Sequence, residues 1–506
     1  MEKEKKKHKL NKKTVIKILF VLYILVLCTT WALTLGYNNA PDEAMKYDVC
    51  KYLLKHKALP HGGDPEIREV NWGISYAFTP ILSYIFSAIC MGITSIFTDG
   101  PFKIFVSTRI VSILCMCGYA FMNIKISEKL FKGIFKWLYV VLVTLLPQVV
   151  FLGSYLNNDS LALFSISIIV YSWILGIEKD WDWKSCIILS VGIGICSLSY
   201  YNAYGYILCS AIIYCLSNLI KKIDFKTFLI KGFAIVGIVF VIAGWWFVRN
   251  FIIYDGDIFG LTISREYGEK YALDWLKPSN RGTPNNLHWS LKYMLTQTNW
   301  IKTSINSFIG VFGNMTVSMK NTTYTVYKYV IVFGFIGLAF DKIYKLIKKI
   351  VDKIKNKKIS DKSETKNEEK SLEKSEDKKK NKEKVLFNLI MLICGIIPIM
   401  LSIYYSYFND FQPQGRYMMP MIIPLMYFVA KGFEEIFNII VKNKKIQNMI
   451  IGIVIAVWSL APIYIYFEYI RKFLMFTKWD KWDRHNLSHN FIKNCWKIAN
   501  KIKRRN

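Results

Sequence analysis

Long apolar runs separated by short charged segments set the pattern of this chain. Runs of about 17 to 22 nearly uncharged residues begin at about Val15 to Leu35 and recur toward the C-terminus, each long enough to cross a hydrocarbon core as a helix. They predict an all-α polytopic membrane protein, a bundle of about eleven transmembrane helices. Between the spans the periodicity changes. After Tyr37, the residues Met45, Val49, Tyr52 and Leu53 recur at helical spacing, with Lys46, Asp48, Lys51 and Lys55 on the opposite face. This pattern predicts a juxtamembrane helix lying flat on the membrane surface in the first loop.

That helix opens with Pro41-Asp42-Glu43, so two carboxylates emerge at the membrane boundary. Pro41 suits the first helical position, and Asp42 and Glu43 are then expected in the first turn, ionised and favoured by the helix dipole. One reading is a base held where membrane meets water; the other is an acidic helix start that improves capping.

Charge supplies the topology. Residues 1–14 form a basic tail, with seven lysines before Thr14, and are assigned to the cytoplasm. A transmembrane module is expected over 15–340 with external loops 36–104 and 247–326, then a charged cytoplasmic linker over 341–384. Transmembrane helices follow over 385–467 and a basic tail over 468–506. If the apolar stretch Ser75–Phe97 is re-entrant or peripheral, every strongly basic loop between spans falls inside; if it crossed, all would fall outside. It is therefore read as not crossing, although the C-terminal tail then comes out external.

Composition narrows the function classes. Of 506 residues, 53% are hydrophobic and 16% aromatic, too apolar for an ordinary soluble protein. Much of the net charge of +31 sits in the tails and the linker, beside the spans, so anionic lipid rather than nucleic acid is the expected partner. Eleven cysteines, mostly within apolar runs and without metal-binding spacing, read as small core residues.

The same topology brings the unusual polar residues to the external side. Asn157-Asn158-Asp159 is either a helix N-cap or a second carboxylate for substrate or cation. Arg249, after Trp245-Trp246, is either a snorkelling cation or an anion contact on the side where cations are disfavoured. Gln414-Gly415-Arg416-Tyr417 opens a later span. Its glycine allows close approach, and its guanidinium fork and helix N-terminus suit phosphate oxygens. His61, in the turn-rich loop after the surface helix, is a candidate assistant or an inert loop residue.

Together these features resemble the GT-C superfamily of membrane glycosyltransferases, which take sugars from polyprenyl-phosphate donors. Pro41-Asp42-Glu43 with Tyr47, Tyr52 and Pro60 is similar to the loop that carries the catalytic aspartate in that superfamily. Tyr76-Ala-Phe-Thr-Pro80 and Asn158-Asp159 also fit its plan. Trp246, Arg249-Asn250, Tyr254, Gly256-Asp257, Ser307-Phe308, Phe312-Gly313 and Gln414-Gly-Arg416-Tyr417 are similar to a bacterial multi-pass group within or near it. The resemblance implies an inverting transfer to an extracytoplasmic acceptor at the plasma membrane, the acceptor being a cell-envelope glycan, a lipid or a protein. Asp42 would be the base, and Glu43 and Asp159 would position the acceptor. Arg416, Tyr417, Arg249, Asn158, His61 and Gln414 would bind substrate and phosphate. Some members use a divalent cation, Mg or Mn, for which Asp42 and Asp159 would be the ligands. Rival classes are a flippase or transporter of lipid-linked saccharides and a polysaccharide polymerase.

Overall fold

The computed structural model describes residues 11–357 and 368–474. The outer parts of both basic tails and the middle of the charged linker lie outside the described residues. The fold is a bundle of helices, relieved among the described residues by one short hairpin, Val311–Phe312 with Val317–Ser318.

Helix α1 (Lys12–Thr34) crosses first and is followed by α2 (Glu43–His56), α3 (Leu82–Phe97), α4 (Pro101–Ser107) and α5 (Ile110–Leu130). The return pass is made of α6 (Phe135–Thr144) and α7 (Pro147–Leu152), broken where Pro147 cannot continue the first helix. Then come α8 (Asp159–Glu178), α9 (Trp183–Ser197), α10 (Gly205–Lys221), and α11 (Phe225–Val239) running through a π turn into α12 (Trp245–Ile253). Helices α13 (Leu261–Tyr271), α14 (Leu291–Gln297) and α15 (Trp300–Gly310) build the loop region before α16 (Asn321–Lys357), α17 (Glu368–Phe408), α18 (Ile422–Ile440) and α19 (Lys444–Ile465).

Seven helical runs among the described residues are long and apolar enough to cross a membrane. The α6–α7 pair, α9, α16 and α18 pack among them as four further passes, completing a bundle of about eleven. Where α16 meets α18 their backbones touch. A Cβ on Gly432 would lie 1.7 Å from the Gly334 carbonyl oxygen, and one on Gly337 would lie 2.3 Å from that of Gly432. Glycine is required there because in a lipid solvent close backbone packing replaces the hydrophobic effect as the source of helix association.

The chain direction can be followed through contacts at the two ends of the bundle. At one end Lys129 meets Glu178 at 2.5 Å, Lys17 meets Glu128 at 2.5 Å, and the backbone N–H of Lys132 donates to Glu434 at 3.3 Å. At the other end lie Gly36, Arg109, Asn157 and Leu474; Arg109 donates to the Gly36 carbonyl, and Gly36 N–H donates to that of Leu474. The segment containing α3 both leaves and rejoins this second end. Ser83 donates to the Asn157 carbonyl at 2.7 Å and Ser87 to that of Thr108 at 2.9 Å. Only twenty residues separate Ser87 from Thr108, and as a helical hairpin each arm reaches about 15 Å, half of a hydrocarbon core.

Candidate active site

Asp42 sits at the second end, immediately before α2, with φ of 59°. This corrects the expectation that Pro41 begins the helix. The helix starts at Glu43, and Asp42 occupies the left-handed region, which aspartate tolerates better than most residues and which often marks a functional position. The turn aims its carboxylate away from the α2 N–H groups, and Oδ2 accepts a 2.7 Å hydrogen bond from Arg416 Nη2. One third of the Asp42 side chain remains exposed, whereas Arg416 is buried.

Burial alone would push the Asp42 carboxyl up. The Arg416 and Lys46 charges, with hydrogen bonding from Arg416 and Tyr76, outweigh it and hold the group well below the usual carboxylate range.

Lys46 was expected on the solvated face of α2. Instead it is 1% exposed, donates to the Pro41 carbonyl at 2.8 Å, and places its ammonium 5.0 Å from the ring centre of Tyr76 and 5.5 Å from that of Tyr155. The buried face of α2 is Glu43, Lys46, Tyr47, Val49 and Cys50, so Val49 lies inward as periodicity predicts, while Glu43, Lys46, Tyr47 and Cys50 are buried from beyond the predicted apolar stripe. Burial drives the Lys46 ammonium down to about 8, against the pull of Asp42, Asp159 and Glu43. Its spacing of one helical turn from Asp42 is the signal that could have revealed it.

Glu43 also requires correction. It is fully buried and faces away from Asp42, its two oxygens accepting from Arg109 Nε at 2.8 Å and Nη2 at 2.7 Å, and Oε1 also from Leu156 N–H at 3.0 Å. Arg109 in turn caps the end of α1, donating to the carbonyls of Ala32, Leu35 and Gly36. Glu43 is thus a strut that fixes the start of α2 against α1 and the turn before α8. Sequence reading passed over Arg109 although, on the topology expected from charge, it opens an apolar run on the external side, the argument applied to Arg249.

Asp159 opens α8 and is buried beside this group, electrostatically coupled to Arg416, Lys46 and Asp42. Helix capping there falls to Asn157, whose Oδ1 accepts from Ser160 N–H at 2.9 Å. Asn158 instead donates to the Ser199 carbonyl at 3.0 Å and has no hydrogen bond to Asp42 or Arg416.

Gln414 precedes a 3₁₀ turn, Gly415–Met421, that holds Arg416 and Tyr417 and leads into α18. A Cβ on Gly415 would lie 2.0 Å from the Phe308 backbone nitrogen, and Gly415 N–H donates to Ser307 Oγ at 2.5 Å. This close approach to α15 fixes where Arg416 points. Its Nη2 also donates to Tyr417 Oη at 3.2 Å, and Tyr417 donates to Gln412 Oε1. Arg416 Nε, Gln414 Oε1 and the hydroxyls of Tyr84 and Tyr155 are buried without hydrogen-bond partners among the described residues. Polar atoms left so are costly unless a ligand satisfies them.

His61 and Arg249 form a separate cluster. Arg249 donates to the Pro60 carbonyl at 2.6 Å and to Asn250 Oδ1 at 3.2 Å, while His61 packs against Phe78, Tyr254 and Tyr267. Burial, and then the Arg249 charge, lower the His61 pKa. The turn Tyr76–Phe78 stands between the clusters, Tyr76 facing Lys46 and Phe78 facing His61. Neither residue hydrogen-bonds to Asp42 or Arg416, so the structure does not join them to that pair.

The apo oligosaccharyltransferase of Archaeoglobus fulgidus shares this arrangement of helices, with a TM-score of 0.50 at 11% identity, over 90% of this chain and 55% of that one. The chain has a GT-C-type fold. ArnT from Cupriavidus metallidurans, bound to undecaprenyl phosphate, gives a TM-score of 0.47 at 11% identity over 88% of this chain and 64% of that one. The Archaeoglobus fulgidus oligosaccharyltransferase AglB, in complex with an inhibitory peptide and a dolichol-phosphate, gives 0.43 at 11% identity over 89% and 55%. This chain therefore spans 55% to 64% of the length of these structures. No family model and no curated protein matches it.

Within this GT-C-type bundle the donor set fits a divalent cation poorly. Asp42 and Asp159 share their surroundings with two cations, Lys46 and Arg416, and Asp42 Oδ2 is already engaged. Among the described residues, no group of three or more His, Cys, Asp or Glu side chains is arranged to hold a metal ion.

Proposed function

We propose that this chain is a multi-pass membrane glycosyltransferase that moves a sugar, with inversion, from a polyprenyl-phosphate donor to an extracytoplasmic acceptor hydroxyl, with Asp42 as the base. The observation that carries this reading is the contact of Asp42 with Arg416 in a fold shared with an oligosaccharyltransferase. The lysine pairs at the opposite end of the bundle favour that end as cytoplasmic, which leaves Asp42 facing outward at the plasma membrane.

Without donor, Arg416 neutralises Asp42 and makes it a weak base. A donor phosphate offers the guanidinium a stronger partner with several oxygens. As Arg416 turns to it, Asp42 keeps its burial but loses its cation, and its basicity rises. The acceptor oxygen then attacks the anomeric carbon while its proton passes to Asp42. The bond from the anomeric carbon to the phosphate oxygen breaks, and its electron pair leaves on the lipid phosphate, where Arg416 and Lys46 meet the growing charge. Phosphate is a good enough leaving group to need no general acid, so one carboxylate serves where a glycosidase uses two. Asp159 is left to orient the acceptor.

Purified protein in lipid nanodiscs, supplied with undecaprenyl-phosphate-linked monosaccharides, is expected to release undecaprenyl phosphate with formation of a new glycosidic bond or free sugar. Movement of the intact lipid-linked sugar across proteoliposomes without bond cleavage would identify a transporter instead.

A further inference from the structure

Beyond Arg416 the hydrogen-bonded groups continue toward the loops that stand over the bundle end. Tyr417 donates to Gln412, Gln414 Nε2 donates to the same Gln412 Oε1 at 3.2 Å, and Gln412 Nε2 donates to Asp410 Oδ2. These residues form the connection between α17 and α18, pinned by Ser406 donating to the Gln412 carbonyl at 3.1 Å. Across from them is Arg281, whose charge acts on Asp410 while its guanidinium lies 5.0 Å from the Trp72 ring centre. A chain of hydrogen bonds from Asp410 through Gln412, Tyr417 and Arg416 to Asp42 places the two carboxylates in one neighbourhood.

The chemistry of this ladder is specific. It holds amides, a phenol and a carboxylate, all partly exposed, with both donors and acceptors in a short compass. Gln414 Oε1 is buried without a partner and so lacks a hydroxyl or N–H donor. Beside the ladder Tyr405 is 39% exposed, and its ring centre stands 5.8 Å from that of Tyr417, which makes it a partner for packing. A sugar ring satisfies both demands at once, with hydroxyls that donate and accept and an apolar C–H face. An acyl chain satisfies neither group of polar atoms, and an extended peptide would look for a strand edge or an apolar pocket.

Resting on the transferase reading above, we infer that Asp410, Gln412, Gln414 and Tyr405 form an acceptor subsite for a saccharide, so the hydroxyl delivered to Asp42 belongs to a glycan. The ladder leads from the phosphate-facing arginine toward the loops of α14 and Arg281, where Tyr407 donates to the Trp289 carbonyl at 2.7 Å. A water-soluble acceptor enters from that side, and a lipid donor enters from the bundle.

The test uses the full chain in nanodiscs with undecaprenyl-phosphate-linked monosaccharides as donors and, as acceptors, a panel of oligosaccharides, a serine-containing peptide and diacylglycerol. Donor hydrolysis in the absence of acceptor serves as the second readout. The expected result is transfer to oligosaccharide only, with the oligosaccharide KM raised about tenfold in Asp410→Ala and Tyr405→Ala, the cost of one lost hydrogen bond or stacking contact. Donor hydrolysis should stay within about twofold of the parent, and Asp410→Asn serves if the alanine variant does not fold. An unchanged oligosaccharide KM, a rise in donor KM instead, or preferred transfer to peptide or diacylglycerol overturns the subsite while leaving the transferase standing. A parent protein that cleaves no donor removes the transferase reading itself, and the subsite with it.

Discussion

Asp42 and Arg416 lie 374 residues apart in sequence and 2.7 Å apart in space. The contact depends on two local devices, a left-handed turn at Asp42 and a glycine at 415 that lets the chain pass against α15. On the proposed mechanism each group restrains the other: the acid would be a poor base and the guanidinium engaged until a donor phosphate separates them.

That restraint predicts graded behaviour at position 416. Arg416→Ala should raise the donor KM by about a hundredfold, and Arg416→Lys by less, since lysine keeps the charge and loses the fork. Because burial pushes the Asp42 carboxyl up once its cation is gone, the acid limb of the pH–rate profile should move to higher pH in Arg416→Ala. Steady-state kinetics across pH checks both; identical profiles in all three proteins would remove Arg416 from the site.

Lys46 carries the second charge. Its pKa near 8 lies below the unfolded value of 10.5, so between those pH values the unfolded chain binds more protons. The cost of burying it, on the order of 3 kcal/mol, is therefore present below pH 8 and fades as pH rises toward 10.5. Lys46→Met should raise the melting temperature at pH 7 while weakening donor binding about tenfold; the parent is expected to lose donor affinity above pH 8, and the Met variant should not. A Met variant that binds undecaprenyl phosphate as tightly as the parent would assign Lys46 to packing alone.

The Glu43–Arg109 pair makes a stability prediction. Arg109→Ala leaves a buried carboxylate without its cation and should cost about 3 to 5 kcal/mol, whereas the double variant Glu43→Gln, Arg109→Met should cost distinctly less. Thermal unfolding in detergent compares them. Additive losses in the double variant would show that the two residues are not coupled.

Gly415→Ala tests the placement of Arg416 without touching its charge. The added methyl meets the Phe308 backbone rather than a movable side chain, so α15 and the 416 turn must separate. Activity should fall at least as far as in Arg416→Ala, with the fold largely retained by the distant helices. Normal turnover in this variant would mean that the turn is pliable.

Much of this was legible in the sequence, for identifiable reasons. Spans announce themselves by length, and lysine placement orders them, because lipid penalises exposed backbone and charge alike. The convergence of Asp42, Asp159 and Arg416 followed from that order. What periodicity missed lay in α2. In a short helix packed on protein rather than lipid, the inward face is chosen by partners: Glu43 is drawn in by Arg109 and Lys46 by the Pro41 carbonyl and two tyrosine rings. Those partners are distant in sequence, so no local pattern marks them. Arg249 and His61 share the end of the bundle that holds Asp42, but the turn Tyr76–Phe78 stands between them and the acid, and a one-dimensional reading has no means of seeing it.

The most direct measurement is sugar transfer by Asp42→Asn in nanodiscs, beside undecaprenyl-phosphate binding by the same protein. Asparagine keeps the shape and a hydrogen-bond acceptor for Arg416 but cannot take the acceptor's proton. Transfer should fall at least about a hundredfold while lipid binding is retained or strengthened, because Arg416 is released from its carboxylate partner. Transfer by Asp42→Asn at a rate close to the parent's would contradict the account.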